Sequence, residues 1–388
     1  MNFLTKLLKL HATVALGLLL LPSASFAQHY TQTNLVSSIP GVGTNPTNPL
    51  DTQLINAWGL TRSVTSPWWV SDNHTGLSTL YNGAGTKLGL VVTIPVPPGG
   101  SAPSAPTGVV FNGTSDFSLP GSTPAPARFI FVTEDGTIAG WNGGTTASIV
   151  VDNSSKGAIY KGCTIAEWNG KHYLYVANFH SGEIEVYDAA FQRVWPRKRA
   201  FDDVDHEGFL DSDHDRKGIE RFKKHRHNFA PFNVQAIGTN IFVAYAEQDA
   251  DKVDDVAGPG LGFVNVFDPA GRRLARLQDG PWFNAPWGIA LASGEFGEFS
   301  HALLVGMFGS GQIAAFNPVS HRFIGLMRNP DDSVLSIEGL WAIGFGAGNA
   351  NSGPHNTLFF TAGPNGENDG LFGNLVPIAT ELSEFDEP

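Results

Sequence analysis

The chain has one cysteine, Cys163, in 388 residues. That excludes an internal disulfide and any zinc site needing two thiolates. Cys163 lies between Gly162 and Thr164 with no neighbouring base, and reads as a small buried apolar residue rather than a thiol nucleophile. Charge is scarce at 15% of residues, and positive charge scarcer still: 24 Lys and Arg face 36 Asp and Glu, for a formal net charge of −12. Such a chain lacks the positive potential that nucleic acid or an anionic membrane surface requires. Beyond the first thirty residues there is no long hydrophobic run, so no membrane span is expected, and no long window with helical periodicity. A Gly-x-Ser-x-Gly elbow, a phosphate loop and a dinucleotide fingerprint are all missing. The 12 His are scattered, without the spacing of a zinc-binding helix.

Turns and aromatics are plentiful: 45 Gly, 25 Pro and 27 Phe. A passage from polar loop into apolar strand recurs six times, at Asn56–Leu60, Pro106–Val110, Lys161–Ile165, Pro231–Gln235, Pro286–Ala290 and Leu340–Gly344. The equivalent positions 59, 108, 162, 233, 288 and 342 are 49, 54, 71, 55 and 54 residues apart. After each comes an apolar segment: Trp68–Ser71, Phe129–Val132, Leu174–Ala177, Ile241–Ala244, Leu303–Gly306 and Leu358–Thr361. Period-two alternation follows, as in Glu183–Asp188 and Gln312–Asn317, which is a strand signal. A repeat near fifty residues made of short strands is the signature of a propeller, whose blades bury their faces only against one another. The expectation is an all-β, six-bladed β-propeller. The last blade, ending at Leu371–Val376, is one strand short. The segment Tyr30–Val36 would supply its outer strand and close the ring, leaving no open sheet edge.

Three segments fall outside the repeat. Residues 1–27 have Lys6 and Lys9, an apolar run from Ala12 to Leu21 and then Ser25-Phe26-Ala27, the layout of a signal peptide cleaved after Ala27. The protein is therefore expected to be exported, periplasmic or extracellular. Residues 28–378 form the propeller, and 379–388 an acidic flexible tail. A charged insertion at about 197–228 accounts for the long interval. Between Arg193 and Arg226 it holds ten Lys or Arg and eight Asp or Glu. Its carboxylates Asp203, Asp205, Asp211, Asp213 and Asp215 alternate as in a calcium loop, but an EF-hand loop starting at Asp211 would need its bidentate Glu where Phe222 stands. A solvated charged excursion is the competing reading.

In a propeller the ends of the second strands share one face around the axis. The residues expected there are Asp72, Glu134, Asn178, Tyr245, Met307 and Ala362, each at or just past the end of its apolar segment. Asp72, Glu134 and Asn178 come from adjacent blades and offer oxygen ligands for Ca²⁺ or another hard cation, although Asp and Asn in loops also cap turns through their own backbone. Tyr245, Glu247 and Trp287 complete the candidate ligand-binding set on this face. Glu247 opens a long acidic loop that reaches Asp255. His74 and His180 are candidate general bases or surface turn residues. Trp58, Trp287 and Trp341 mark the starts of inner strands and are expected to serve packing between blades, with stacking on sugar rings as the alternative.

The stretches Ala230–Gln235, Asp254–Gly260, Asn284–Gly288 and Leu358–Pro364 resemble a bacterial family of exported propellers of unknown function, some with a PEP-CTERM sorting tail. The resemblance covers about Tyr30 to Ile378. It departs at the charged insertion and at the C-terminal end, where no PEP-CTERM tail follows. It implies a propeller fold and no catalytic residues. More distantly the blades are similar to NHL-type repeats and gluconolactonase-like propellers. Two functions follow as expectations. One is an exported monomer binding a small molecule, glycan or protein on the axial face. The other is a metal-assisted hydrolase or lactonase, with Ca²⁺ as its cofactor.

Overall fold

The structure, a computed structural model, describes residues 29–378 apart from 48, 122–123, 195–199 and 202–228. The candidate ligands Asp203, Asp205, Asp211, Asp213 and Asp215, the expected leader 1–27 and the expected tail 379–388 lie outside the described residues.

Six four-stranded antiparallel sheets follow one another along the chain. Blade 1 comprises Ala57–Thr61, Trp68–Asp72, Leu77–Tyr81 and Val92–Thr93. Blade 2 comprises Pro106–Phe111, Phe129–Thr133, Thr137–Trp141 and Ser148–Asp152. Blade 3 runs through Tyr160–Trp168, Lys171–Asn178, Glu183–Tyr187 and Arg193–Val194, and blade 4 through Phe229–Ile237, Asn240–Glu247, Phe263–Phe267 and Arg273–Arg276. Blade 5 is Pro286–Leu291, Leu303–Met307, Ile313–Phe316 and Phe323–Leu326. Blade 6 takes Leu340–Phe345, Leu358–Ala362 and Leu371–Pro377 from the end of the chain, and its outer strand is Tyr30–Ser37 from the beginning. That pairing runs from Tyr30 opposite Pro377 to Ser37 opposite Leu371, and closes the ring with backbone hydrogen bonds.

One irregularity repeats in every blade and explains the sequence motif. Each inner strand carries one extra residue against its neighbour near its start, for example between Ala57 and Leu60, Tyr160 and Gly162, and Leu340 and Ile343. These are β-bulges, which re-aim a side chain. The residues re-aimed are Trp58, Thr107, Lys161, Phe232, Trp287 and Trp341. The small residue that follows is needed because neighbouring inner strands nearly touch. A Cβ on Gly59 would lie 2.3 Å from the Thr107 carbonyl oxygen, and one on Gly162 would lie 2.0 Å from Asn233 Oδ1.

Trp58, Trp287 and Trp341 pack on one another around the axis and between blades, as expected, with Trp341 of blade 6 meeting Trp58 of blade 1 and Trp287 of blade 5. Trp58 stacks on Trp341 at 3.5 Å and meets Trp287, two blades away, edge-on at 6.4 Å. Phe308 and Phe232 join Trp341, and Phe179 joins Phe232, so the middle of the ring is an aromatic plug. Further along the inner strands lies a cavity of about 30 Å³ lined by Leu60, Val109, Cys163, Gln235, Ile289 and Ile343, room for about one water molecule. Cys163 is buried and free, and burial pushes its thiol pKa well up, away from nucleophile chemistry.

Candidate functional site

Above the plug, on the face where inner strands begin, polar side chains from five blades converge. Asn73 and Glu134 follow directly on the second strands of blades 1 and 2, and Lys161 stands on the bulge of blade 3. Lys161 donates to Glu134 Oε1 and, at 2.9 Å, to Asp254 Oδ1 on the loop of blade 4. Asn73 Nδ2 donates to Glu134 Oε2 at 2.9 Å. Asn56 links blades 1 and 6: its amide donates to Glu367 Oε2 at 2.7 Å and to Asn73 Oδ1 at 3.3 Å, and its Oδ1 accepts the Trp341 indole N–H at 2.8 Å. The Lys161 side chain is completely buried, with Nζ 5.0 Å from the Trp58 ring centroid and 5.8 Å from that of Phe179. Trp287, from blade 5, completes the floor by donating its indole N–H to the Lys161 carbonyl at 3.2 Å.

Acid outweighs base here. Burial alone would lower the Lys161 pKa, but Glu134 and Asp254 outweigh it and hold the ammonium above the ordinary lysine range. One ammonium does not satisfy every carboxylate. Burial pushes Asp255 up to about 7, with Glu367 and Asp254 adding to the rise and Lys161 opposing it. Its Oδ2 is buried without a hydrogen-bond partner. Burial likewise raises Glu367, aided by Glu134.

Strand register separates the three expected metal ligands. Ala57 pairs with Asp72, Tyr160 with Asn178 and Pro231 with Tyr245, but Pro106 pairs with Thr133. Thr133 is therefore the counterpart of Asp72, and Glu134 lies one residue further on. Successive strand residues face opposite ways, so Glu134 reaches the axis while Asp72 and Asn178 turn into their blades. Asn178 Nδ2 donates to Glu185 Oε1 at 3.0 Å, and Glu185 also accepts from Tyr160 and Tyr187. Asp72 is fully buried, its Oδ2 accepting the Thr79 N–H at 2.9 Å. Tyr245 stacks on Phe263 at 4.7 Å and donates to the Phe201 carbonyl, away from the axis. Glu247 ends the second strand of blade 4 opposite Phe229, at the foot of the axial loop. The His180 ring lies 3.3 Å from the Lys252 carbonyl of that loop, and His74 is exposed. Among the described residues no three His, Cys, Asp or Glu side chains are grouped to hold a metal ion.

Sequence reading missed Lys161, Asn56, Asn73 and Glu367 as site residues. The available signal was Lys161 itself, the only charged residue among six bulge positions otherwise held by Trp, Phe and Thr. Glu367 gave none, because it reaches Asn56 only through ring closure between blades 6 and 1.

Asp72 carries its own prediction. Burial, with Asp51 adding, raises its carboxyl pKa well above the usual range, and Oδ1 has no hydrogen-bond partner. The folded state then keeps a proton that the unfolded chain loses near pH 4, so stability falls as pH rises between the two pKa values. Asp72→Asn removes that loss. Its unfolding free energy is expected to exceed the parent's by about 2 kcal/mol at high pH, with the gap closing towards pH 4. Urea unfolding across pH checks this, and a gap that does not shrink on acidification would count against it.

No family model matches the chain. Two uncharacterised proteins of Acanthamoeba polyphaga mimivirus are similar to it. One is 27% identical over 343 residues, 86% of this chain and 77% of the relative. The other is 28% identical over 339 residues, 84% of this chain and 81% of the relative. Among solved structures, a protein of unknown function from Bacteroides thetaiotaomicron superposes with a TM-score of 0.51 at 10% identity, covering 89% of this chain and 76% of that one. That likeness extends to the fold alone. Among the described residues no helix is long and apolar enough to cross a membrane.

Proposed function

We propose that this propeller is an exported binding protein that takes a small, positively charged ligand on its axial face. The observation that carries the reading is that the Lys161 ammonium pairs with Glu134 and Asp254 only, while the nearby carboxyls of Asp255 and Glu367 are raised by burial. A second positive charge would lower the cost of the carboxylates whose pKa burial has raised. The suitable ligand is an organic ammonium, which seeks oxygen acceptors, with Ca²⁺ and Mg²⁺ as comparison cations because among the described residues no three acidic side chains are grouped to hold a metal. Stacking on a glycan is disfavoured, since Trp58, Trp287 and Trp341 are only 2%, 5% and 1% exposed. The leader at 1–27 supports export.

The test is thermal unfolding at pH 8 with putrescine, choline, Ca²⁺ or Mg²⁺, set beside neutral sugars and dicarboxylates. A ligand bound only by the folded state raises the midpoint, by the equivalent of about 2.7 kcal/mol at a hundredfold excess over Kd. The expected result is a rise with putrescine or choline that disappears in Glu367→Gln. A rise that survives in that variant, or a response to neither, would sink the reading.

Hydrolysis of an ester or lactone at the same place is a second reading, favoured by one observation. Asp255, held at about 7, has the proton affinity of a general base working near neutral pH. Turnover of a lactone panel that is abolished in Asp255→Asn would establish it.

A further inference from the structure

The loop between the second and third strands of blade 4 folds back over the axial site as a short hairpin. Gln248 bridges to Asp255, Asp249 N–H donates to the Asp254 carbonyl at 2.8 Å, and Val256 N–H donates to the Glu247 carbonyl at 2.8 Å. The hairpin has fixed ends. Glu247 belongs to a paired strand, and beyond the tip Gly258 N–H donates to Asn284 Oδ1. Between those ends the described contacts to the ring are polar. Gln248 Nε2 donates to the Phe179 carbonyl, the His180 ring meets the Lys252 carbonyl, and Asp254 accepts from Lys161. The two large apolar side chains of the hairpin, Val253 and Val256, are each 37% exposed and do not anchor it. Asp254 is 68% exposed, yet the lysine it holds is completely buried.

We propose that this hairpin, Gln248–Val256, is a lid over the axial site and that the Asp254–Lys161 ion pair is its latch. A segment held by hydrogen bonds and one ion pair, without apolar burial, opens at far lower free energy than the sheets beneath it. Opening about Glu247 and Gly258 lifts Asp254 and Asp255 away together and exposes Lys161 and Glu134 to an incoming ligand, which closure then brings under both carboxyls. Loops on a rigid scaffold are where such movement is cheapest. The role of the lid rests on the axial-binding reading, but its latch is tested without ligand.

The experiment is hydrogen–deuterium exchange of the intact protein, read by mass spectrometry, for the parent, Asp254→Asn and Asp251→Asn. Asp251 is an exposed acid in the same turn, so its variant carries the same change in charge. Removing the latch is expected to speed exchange at Asp249 and Val256 about fivefold, leaving the inner-strand amides of Phe229–Ile237 at the parent rate. Those strand amides also report whether each variant is folded. Equal hairpin exchange in parent and Asp254→Asn overturns the latch. So does the same acceleration in Asp251→Asn, which would assign the effect to net charge. Neither result bears on whether a cation binds, and failure to find a ligand leaves the exchange result standing.

Discussion

Lys161→Met is expected to destabilise the protein by about 3–5 kcal/mol, the cost of breaking a buried ion pair and leaving the remaining charge uncompensated. Methionine matches the length of the lysine stem, so packing on Trp58 and Phe179 is largely kept and the loss is electrostatic. Its two partners should differ in weight. The Glu134 side chain is 22% exposed and that of Asp254 is 68% exposed. Asp254→Asn alone should therefore cost no more than about 1 kcal/mol, as exposed pairs do. In the double variant Lys161→Met, Glu134→Gln, the stranded carboxylate is gone and part of the loss should be recovered. The pH dependence has a definite sign. Lys161 is held charged above the ordinary lysine range, so its contribution is complete at neutral pH and falls only as pH rises through and beyond about 10. Urea midpoints of the parent and the three variants at pH 7 decide the matter. A loss under about 1 kcal/mol for Lys161→Met would mean that water reaches and screens the cluster.

Trp341→Ala should cost a comparable about 3–5 kcal/mol, for a different reason. Trp341 is 1% exposed, stacks on Trp58 at 3.5 Å and on Phe308 at 3.9 Å, and donates its indole N–H to Asn56. Truncation leaves a cavity in a plug drawn from blades 1, 3, 4, 5 and 6, and it orphans an acceptor of the axial network. Trp341→Phe keeps most of the plug and loses the hydrogen bond, and should cost about 1–2 kcal/mol. Val319→Ala, at an 85% exposed position, should stay within about 0.5 kcal/mol of the parent. Thermal midpoints order the three variants. If Trp341→Ala fell level with Val319→Ala, the plug would be shown to be incidental to stability.

Much of the fold was legible because its repeat is written in residue types that geometry demands. Gly59, Gly108, Gly162 and Gly288 stand where neighbouring inner strands leave little or no room for a Cβ. Tyr30–Ser37 could be assigned to blade 6 because an unfinished sheet needs an outer strand. The candidate site was less legible. Setting Glu134 level with Asp72 skips Thr133, and one residue of slip in a strand exchanges its two faces. Pairing of Pro106 with Thr133 gives the true register, and it agrees with the sequence, where Thr133 follows Val132 as Asp72 follows Ser71.

The sequence by itself determined the blade count, the strand order and the net acidity, because short-range rules of turn, alternation and composition govern all three. Only the tertiary structure decided which side chains meet. Asn56, Asn73, Glu134, Lys161, Asp254 and Glu367 span more than three hundred residues of chain, and no local pattern links them. They meet because a bulge turns Lys161 inward and ring closure brings blade 6 beside blade 1. The aromatic plug beneath them keeps that ammonium out of water, where its attraction to the surrounding carboxylates is strongest.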